Sequence, residues 1–216
     1  LFLLDTASGQ VRWRRDLPRF PQRWLFGSPV VDQGHVYCGG RGGYGAWRID
    51  TGDIAWYTEL DTTDVYACYA IPVLTKHLLI NVVQGNGGAV ALRRDTGEIV
   101  WRHEEQGGVH YMAAGPVLMN GNRVILPGAQ NKLLCLRADT GEQIWRSAFD
   151  NGVVTGLTGA GDRILVSTEA DGAQCIDTDS GEPVWRFDPG PDLMDATPMH
   201  RGDATLLAAP VCWESY

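Results

Sequence analysis

CIDTDSGEPVW, residues 175–185, sets three acidic side chains, Asp177, Asp179 and Glu182, around a Ser-Gly turn. Alone, it reads as a small calcium loop, as the Asp box of sialidase propellers, or as a tight hairpin. Calcium takes roughly six to eight oxygens from a loop long enough to wrap it. Here Trp185 follows Gly181 by only four residues, so a strand has begun where the loop would still be wrapping. A sialidase Asp box places its Trp one residue nearer the Gly. The hairpin reading survives, and no metal is expected at this turn.

The stretch is one of five copies. DTASGQVRW spans 5–13, DTGDIAW 50–56, DTGEIVW 95–101, DTGEQIW 139–145 and DTDSGEPVW 177–185. The glycines are Gly9, Gly52, Gly97, Gly141 and Gly181, and the tryptophans Trp13, Trp56, Trp101, Trp145 and Trp185, each four residues after its Gly. Successive glycines lie 43, 45, 44 and 40 residues apart, so five periods account for nearly all 216 residues. A second landmark keeps phase: Pro29, Pro72, Pro116 and Pro198 recur in GSPVV, AIPVL, AGPVL and ATPMH, with Leu157 in the remaining copy. After each comes a turn and a β-rich run, such as HVYCGG or HLLINVV, and then the strand ahead of the next Asp-Thr-Gly turn. Each period holds four short strands, and no segment sustains a helical period.

A lone four-stranded blade cannot bury both faces, whereas radial stacking buries them all. The sequence therefore predicts an all-β protein, a β-propeller of four-stranded antiparallel blades. We letter the strands A to D from the centre outward. A recurrent Pro suits strand A, an inner edge where a missing N–H costs nothing. Gly in the C-to-D turn supplies positive φ, and the Asp accepts amides of its own turn. The Trp on strand D has a wide ring to bury between blades. The chain starts with C- and D-like strands and ends with A- and B-like ones. Residues 1–17 plus 190–216 are expected to form one blade, with the others near 18–60, 61–105, 106–149 and 150–189, in a single domain over 1–216.

This Asp-x-x-[Ser/Thr]-Gly-x-x-x-Trp pattern, five times in phase, resembles the pyrroloquinoline-quinone-like (PQQ-like) propeller repeat. The family's rings usually have seven or eight blades, so the resemblance implies either a closed five-bladed ring or an arc of a larger one. It includes calcium-dependent quinoprotein dehydrogenases. It also includes non-catalytic members, among them a propeller lipoprotein of outer-membrane barrel assembly and sensor domains attached to kinases. The dehydrogenases hold the quinone against a disulfide of adjacent cysteines; Cys38, Cys68, Cys135, Cys175 and Cys212 include no adjacent pair. The resemblance thus implies the non-catalytic branch, no cofactor, a protein or peptide partner, and a periplasmic or extracellular location. The PQQ- and calcium-dependent dehydrogenase is the alternative.

Composition narrows the partners. A formal net charge of −8 argues against nucleic acid, whose phosphates need clustered Lys and Arg. No apolar run reaches the roughly 18 residues of a helical membrane span, so direct membrane insertion is not expected. The start, LFLLDTASG, lacks the basic lead of a signal peptide. His35, His77, His103, His110 and His200 show no metal-ligand spacing. The Gly-rich B-to-C loops, 39–46 and 84–89, lack the helix start of a phosphate cradle and read as flexible hairpins.

The D-to-A loops at one mouth of the channel do not repeat. They carry Arg23, Trp24, Tyr66, Tyr69, His110, Tyr111, Met194 and Asp195. Aromatic rings with a few polar groups suit a binding surface, and these eight are the candidate ligand- or partner-binding residues. No catalytic nucleophile motif is present.

Cys135 and Cys175 share one phase, six residues before their glycines, and fall on neighbouring blades. Packed sheets sit about 10 Å apart, beyond the roughly 7 Å that a disulfide spans. Intact-mass analysis after alkylation in denaturant without reductant is expected to find both thiols modified; a bridge between them would overturn the register.

Overall fold

The computed structural model describes residues 1–16, 28–40, 42–60, 70–83, 88–107, 114–129, 131–149, 153–168, 172–188, 197–201 and 204–208. They form strands and turns only, in six antiparallel sheets. A two-stranded sheet, β1 (Phe2–Leu4) and β2 (Val11–Arg14), comes first. Four four-stranded sheets follow, each in sequence order from A to D. Blade 1 is β3 (Val30–Asp32), β4 (His35–Gly40), β5 (Gly43–Arg48) and β6 (Ile54–Glu59). Blade 2 is β7 (Val73–Leu74), β8 (Leu78–Val82), β9 (Ala89–Arg93) and β10 (Ile99–His103). Blade 3 is β11 (Val117–Met119), β12 (Arg123–Gly128), β13 (Lys132–Arg137) and β14 (Gln143–Ala148). Blade 4 is β15 (Val154–Ala160), β16 (Arg163–Thr168), β17 (Gly172–Asp177) and β18 (Pro183–Phe187). A final pair is β19 (Thr197–Arg201) with β20 (Ala204–Ala208). The A strands β7, β11, β15 and β19 approach one another in turn, so strand A is the inner edge. Pro29, Pro72 and Pro116 sit just ahead of β3, β7 and β11, as the missing amide requires.

There is a separate hydrophobic core at each blade junction. Along β8 and β9 alternate side chains serve different junctions, as the period of two dictates. Leu79, Val90 and Leu92 face blade 1, against Tyr37, Tyr44, Ala46 and Trp56. Ile80, Val82, Ala89 and Ala91 face blade 3, against Val124, Leu126, Leu134 and Leu136. Ile125, Leu133, Cys135 and Trp145 then meet Ile164, Val166 and Ile176 of blade 4. Middle strands are buried on both faces, which is why β8 reads LLINV without apolar-polar alternation. Its Asn81 is fully buried and satisfied, donating to the Tyr44 hydroxyl and to Ala70 O.

The repeated Trp joins one blade to the next. Trp13 Nε1 donates to Ile49 O at 2.9 Å, Trp56 to Arg94 O at 2.8 Å, Trp101 to Ala138 O at 3.0 Å and Trp145 to Thr178 O at 2.9 Å. Each acceptor lies three residues before the next blade's repeat Gly. The ring lies on that Gly: a Cβ at Gly52, Gly97, Gly141 or Gly181 would come within 2.8, 2.5, 2.7 or 2.6 Å of it. These glycines also hold φ between 73° and 77°, so positive φ and ring contact independently exclude a side chain.

Strand D carries a β-bulge in every copy. The extra residue is Arg12, Ala55, Val100, Ile144 and Val184, immediately before each Trp. Without it, the residue two before the Trp would share the Trp's face. With it, Val11, Ile54 and Ile99 are exposed while Trp13, Trp56 and Trp101 turn inward.

The acidic turn at 177–181 serves its own backbone. Asp177 Oδ1 accepts from Asp179 N at 3.0 Å, Ser180 N at 2.9 Å and Ser180 Oγ at 3.1 Å, and its other oxygen pairs with Arg163. The Ser180 amide, more than burial opposes, holds the Asp177 carboxyl below the usual range. Asp179 pairs with Arg123 at 2.5 Å. Cys38, Cys135 and Cys175 are unpaired and buried, and burial pushes the Cys135 thiol up to about 12.

The five stations differ at the ends. Trp13, Trp56, Trp101 and Trp145 are 7–9% exposed, whereas Trp185 is 40% exposed. Gly9 has nothing within 4 Å of a Cβ position. The sheets β1–β2 and β19–β20 are separate. Among the described residues the two end pairs do not hydrogen-bond to each other, and Trp185 and Gly9 have no matching station.

Trp101→Ala removes a fully engaged junction ring and is expected to cost about 3–5 kcal/mol. Trp185→Ala should cost less than half of that, since the residue is already 40% exposed and its ring has no neighbouring station among the described residues. Urea unfolding of both variants checks this; equal losses would mean that seating the ring contributes nothing.

Candidate functional site

All eight residues expected at the mouth, Arg23, Trp24, Tyr66, Tyr69, His110, Tyr111, Met194 and Asp195, lie outside the described residues. The nearby 39–46 stretch is a hairpin, as expected, between β4 and β5. Two of its strand glycines make room for rings: a Cβ on Gly39 would meet Tyr44 at 2.2 Å, and one on Gly45 would meet Trp47 at 2.5 Å.

Just beyond β10 on the mouth side, Glu105 is buried with a side chain 2% exposed. Its carboxylate pairs with Arg146 of β14, and His103 Nε2 lies 3.4 Å from it. The pair spans blades 2 and 3 at their outer strands.

The opposite face, made of A-to-B and C-to-D turns, holds a cleft of about 310 Å³ between blades 1 and 2. Gln33, His35, Tyr37, Lys76, His77, Arg94 and Asp95 line it. Arg94 is 8% exposed. Its Nη1 donates to Thr75 O at 2.8 Å, its Nη2 bonds the Asp32 carboxylate, and its guanidinium carbon lies 5.3 Å from the Tyr37 ring centroid. Its Nε is buried without a partner. Burial opposes the charge, but the Tyr37 hydroxyl and Asp32 outweigh it and hold the guanidinium above its ordinary pKa.

Two of these residues depart from the repeat. Where blade 2 has Arg94, its sisters have Ile49, Ala138 and Thr178, because the Trp needs only a carbonyl there. Where blade 1 has Tyr37, the third residue of strand B is elsewhere Ile80, Ile125 or Leu165. That phase comparison is the sequence signal that could have found the cleft.

Two overlapping matches, over residues 1–104 and 85–209, join the chain to a family described as outer membrane protein assembly factor BamB. The chain belongs to that family. Solved structures share its fold. BamB from Moraxella catarrhalis is 20% identical, with a TM-score of 0.68 over 85% of this chain and 54% of its own. Quinohemoprotein alcohol dehydrogenase from Comamonas testosteroni is 17% identical, with 0.71 over 87% of this chain and 40% of its own. The computationally designed Ika8 protein is 14% identical, with 0.69 over 84% and 54%. The chain spans about half the length of the BamB structure it matches. No protein with a curated description matches it.

Within this family frame the Glu105–Arg146 pair is a junction contact, like the Trp stations. Removing one partner of a buried pair strands the other's charge. Arg146→Ala is expected to destabilise by about 1–3 kcal/mol, less than the limit for a fully buried pair because Arg146 is 40% exposed. The double variant Glu105→Gln, Arg146→Met should recover most of that loss; thermal unfolding of the set checks it.

Proposed function

We propose that the chain is a non-catalytic propeller scaffold that binds a protein or peptide at the mouth lined by the D-to-A loops. The observation that carries this reading is membership of a family described as an assembly factor. The geometry supports it physically. Blades locked at each junction by a buried Trp present their loops in one arrangement, so little entropy is lost when a partner docks. Arg23, Trp24, Tyr66, Tyr69, His110, Tyr111, Met194 and Asp195 are the contacts we assign to that surface. Trp and Tyr are the side chains that most often dominate interface energetics. We place the protein in the periplasm or outside the cell, in keeping with the family description. No helix among the described residues is long and apolar enough to cross a membrane.

A second reading, a quinone-dependent dehydrogenase, takes its support from the fold shared with quinohemoprotein alcohol dehydrogenase. The two readings part in one experiment. The purified chain is incubated with pyrroloquinoline quinone and calcium, then assayed for retained chromophore and for dye reduction with an alcohol. The scaffold reading expects neither. In parallel, a library of extended peptides is screened for binding, with Trp24→Ala and Tyr111→Ala expected to weaken a hit at least tenfold. Turnover with quinone, or hits indifferent to both substitutions, would overturn the scaffold reading.

A further inference from the structure

We propose that the cleft between blades 1 and 2 is a binding site for a small oxyanion, a phosphate group or a compact dicarboxylate. It lies on the face opposite the mouth and does not depend on the function proposed above.

The argument starts from what the fold requires. In a repeat protein each position has sister positions that show what the architecture needs. At the Arg94 position it needs a backbone carbonyl for Trp56 Nε1, and the sisters carry Ile49, Ala138 and Thr178. At the Tyr37 position it needs an aliphatic side chain. The repeat therefore does not require the buried guanidinium, and although the Tyr37 ring packs in the junction core, its phenol stands where the sisters are aliphatic. Both departures fall at one junction, and both line the same cavity.

The charges then decide the ligand. Two carboxylates adjoin the cleft, and both are already neutralised. Asp95 is gripped by Arg93 through two bonds, at 3.0 and 2.8 Å, and Asp32 is paired with Arg94. Lys76 has no carboxylate partner among the described residues and is exposed at the rim. His77 stands beside it, also exposed, with its ring unbonded. His35 faces the cavity with Nδ1 3.2 Å from Gln33 O, which leaves Nε2 toward other partners. Arg93 is shared between Asp95 and, at 4.0 Å, Glu98, so the surrounding charges balance overall, and Lys76 is the lining cation left without a carboxylate of its own, set among imidazole and amide groups. The chain as a whole carries −8. Ammonium and imidazole N–H donors form short charge-assisted bonds to anionic oxygens. A cavity of about 310 Å³ fits a phosphate or a dicarboxylate and excludes a folded macromolecule.

The test is isothermal titration of the intact chain with inorganic phosphate and, separately, with malonate, at low ionic strength so that screening does not mask the site. Saturable binding of at least one probe with a Kd below about 1 mM is expected. Lys76→Ala and His77→Ala should each weaken it about tenfold, the value of one charge-assisted bond. Arg94→Ala installs the residue of blade 3, so folding should be retained, as thermal unfolding would show. It should nonetheless abolish binding, because Asp32 is then an unpaired carboxylate at the cleft. Tighter phosphate than malonate binding assigns a phosphate ligand, and the reverse a dicarboxylate. Failure of both probes to saturate by about 10 mM, or binding unchanged in Lys76→Ala and His77→Ala, overturns the proposal.

Discussion

The structure rests on one contact made four times: an indole laid on a glycine, with its N–H held by a carbonyl three residues upstream of that glycine. A buried Trp withdraws on the order of 150–250 Å² from water. At about 25 cal/mol per Å² that is about 4–6 kcal/mol per station. The hydrogen bond adds about 1 kcal/mol and, more importantly, fixes where the ring sits. Blades have little else in common at their outer edges, since strand D is otherwise exposed. The inner edges are held by the A strands and the middle by aliphatic layers, but those surfaces could slide. The indole sets the register of one blade against the next.

That contact imposes its own demands on the chain. The glycine must hold positive φ to turn strand C into strand D, and it must also be bare on the side where the previous ring arrives. The Trp must then reach the neighbouring blade from a strand whose alternation would otherwise put an exposed residue on its face. The bulge at Arg12, Ala55, Val100, Ile144 and Val184 resolves this by shifting the alternation one step. It also bends the outer edge strand and interrupts its ladder, which blunts an edge lined with Val11, Ile54, Ile99 and Val184 against pairing with other chains.

Much of this was legible before any coordinates. The five Gly-to-Trp spacings, together with the in-phase prolines, led to four-stranded blades, an inner strand A and C-to-D turns at Asp-x-x-Gly. They were legible because every copy must meet the same packing condition, so the signal adds. The bulge was not, since one extra residue in a strand of five leaves no compositional mark. Nor was Glu105, whose burial comes from a neighbour, Arg146, on the next blade. The mismatch of Trp185 and Gly9 escaped because a repeat motif reads the same whether or not a neighbour is present. The acidic turn of 177–181 was legible as a hairpin because Trp185 follows Gly181 by only four residues and Asp177 accepts amides of its own turn.

Repetition also gives a rule for locating function. Wherever the architecture dictates a residue type, four or five sisters display it, and agreement among them reports packing alone. Information about ligands can reside only in positions free of that demand. One class is the loops, where the mouth residues fall. The other is positions where one blade breaks the rule the rest obey. Arg94 and Tyr37 belong to the second class: a guanidinium 8% exposed where Ile, Ala and Thr suffice, facing a phenol where Ile and Leu suffice. Burying such a charge works against stability unless it is paired, and here Asp32 and Tyr37 were placed to hold it. Two concerted exceptions around one cavity form an arrangement the fold does not require, which makes that junction the place where a chemical role can be read from the chain itself.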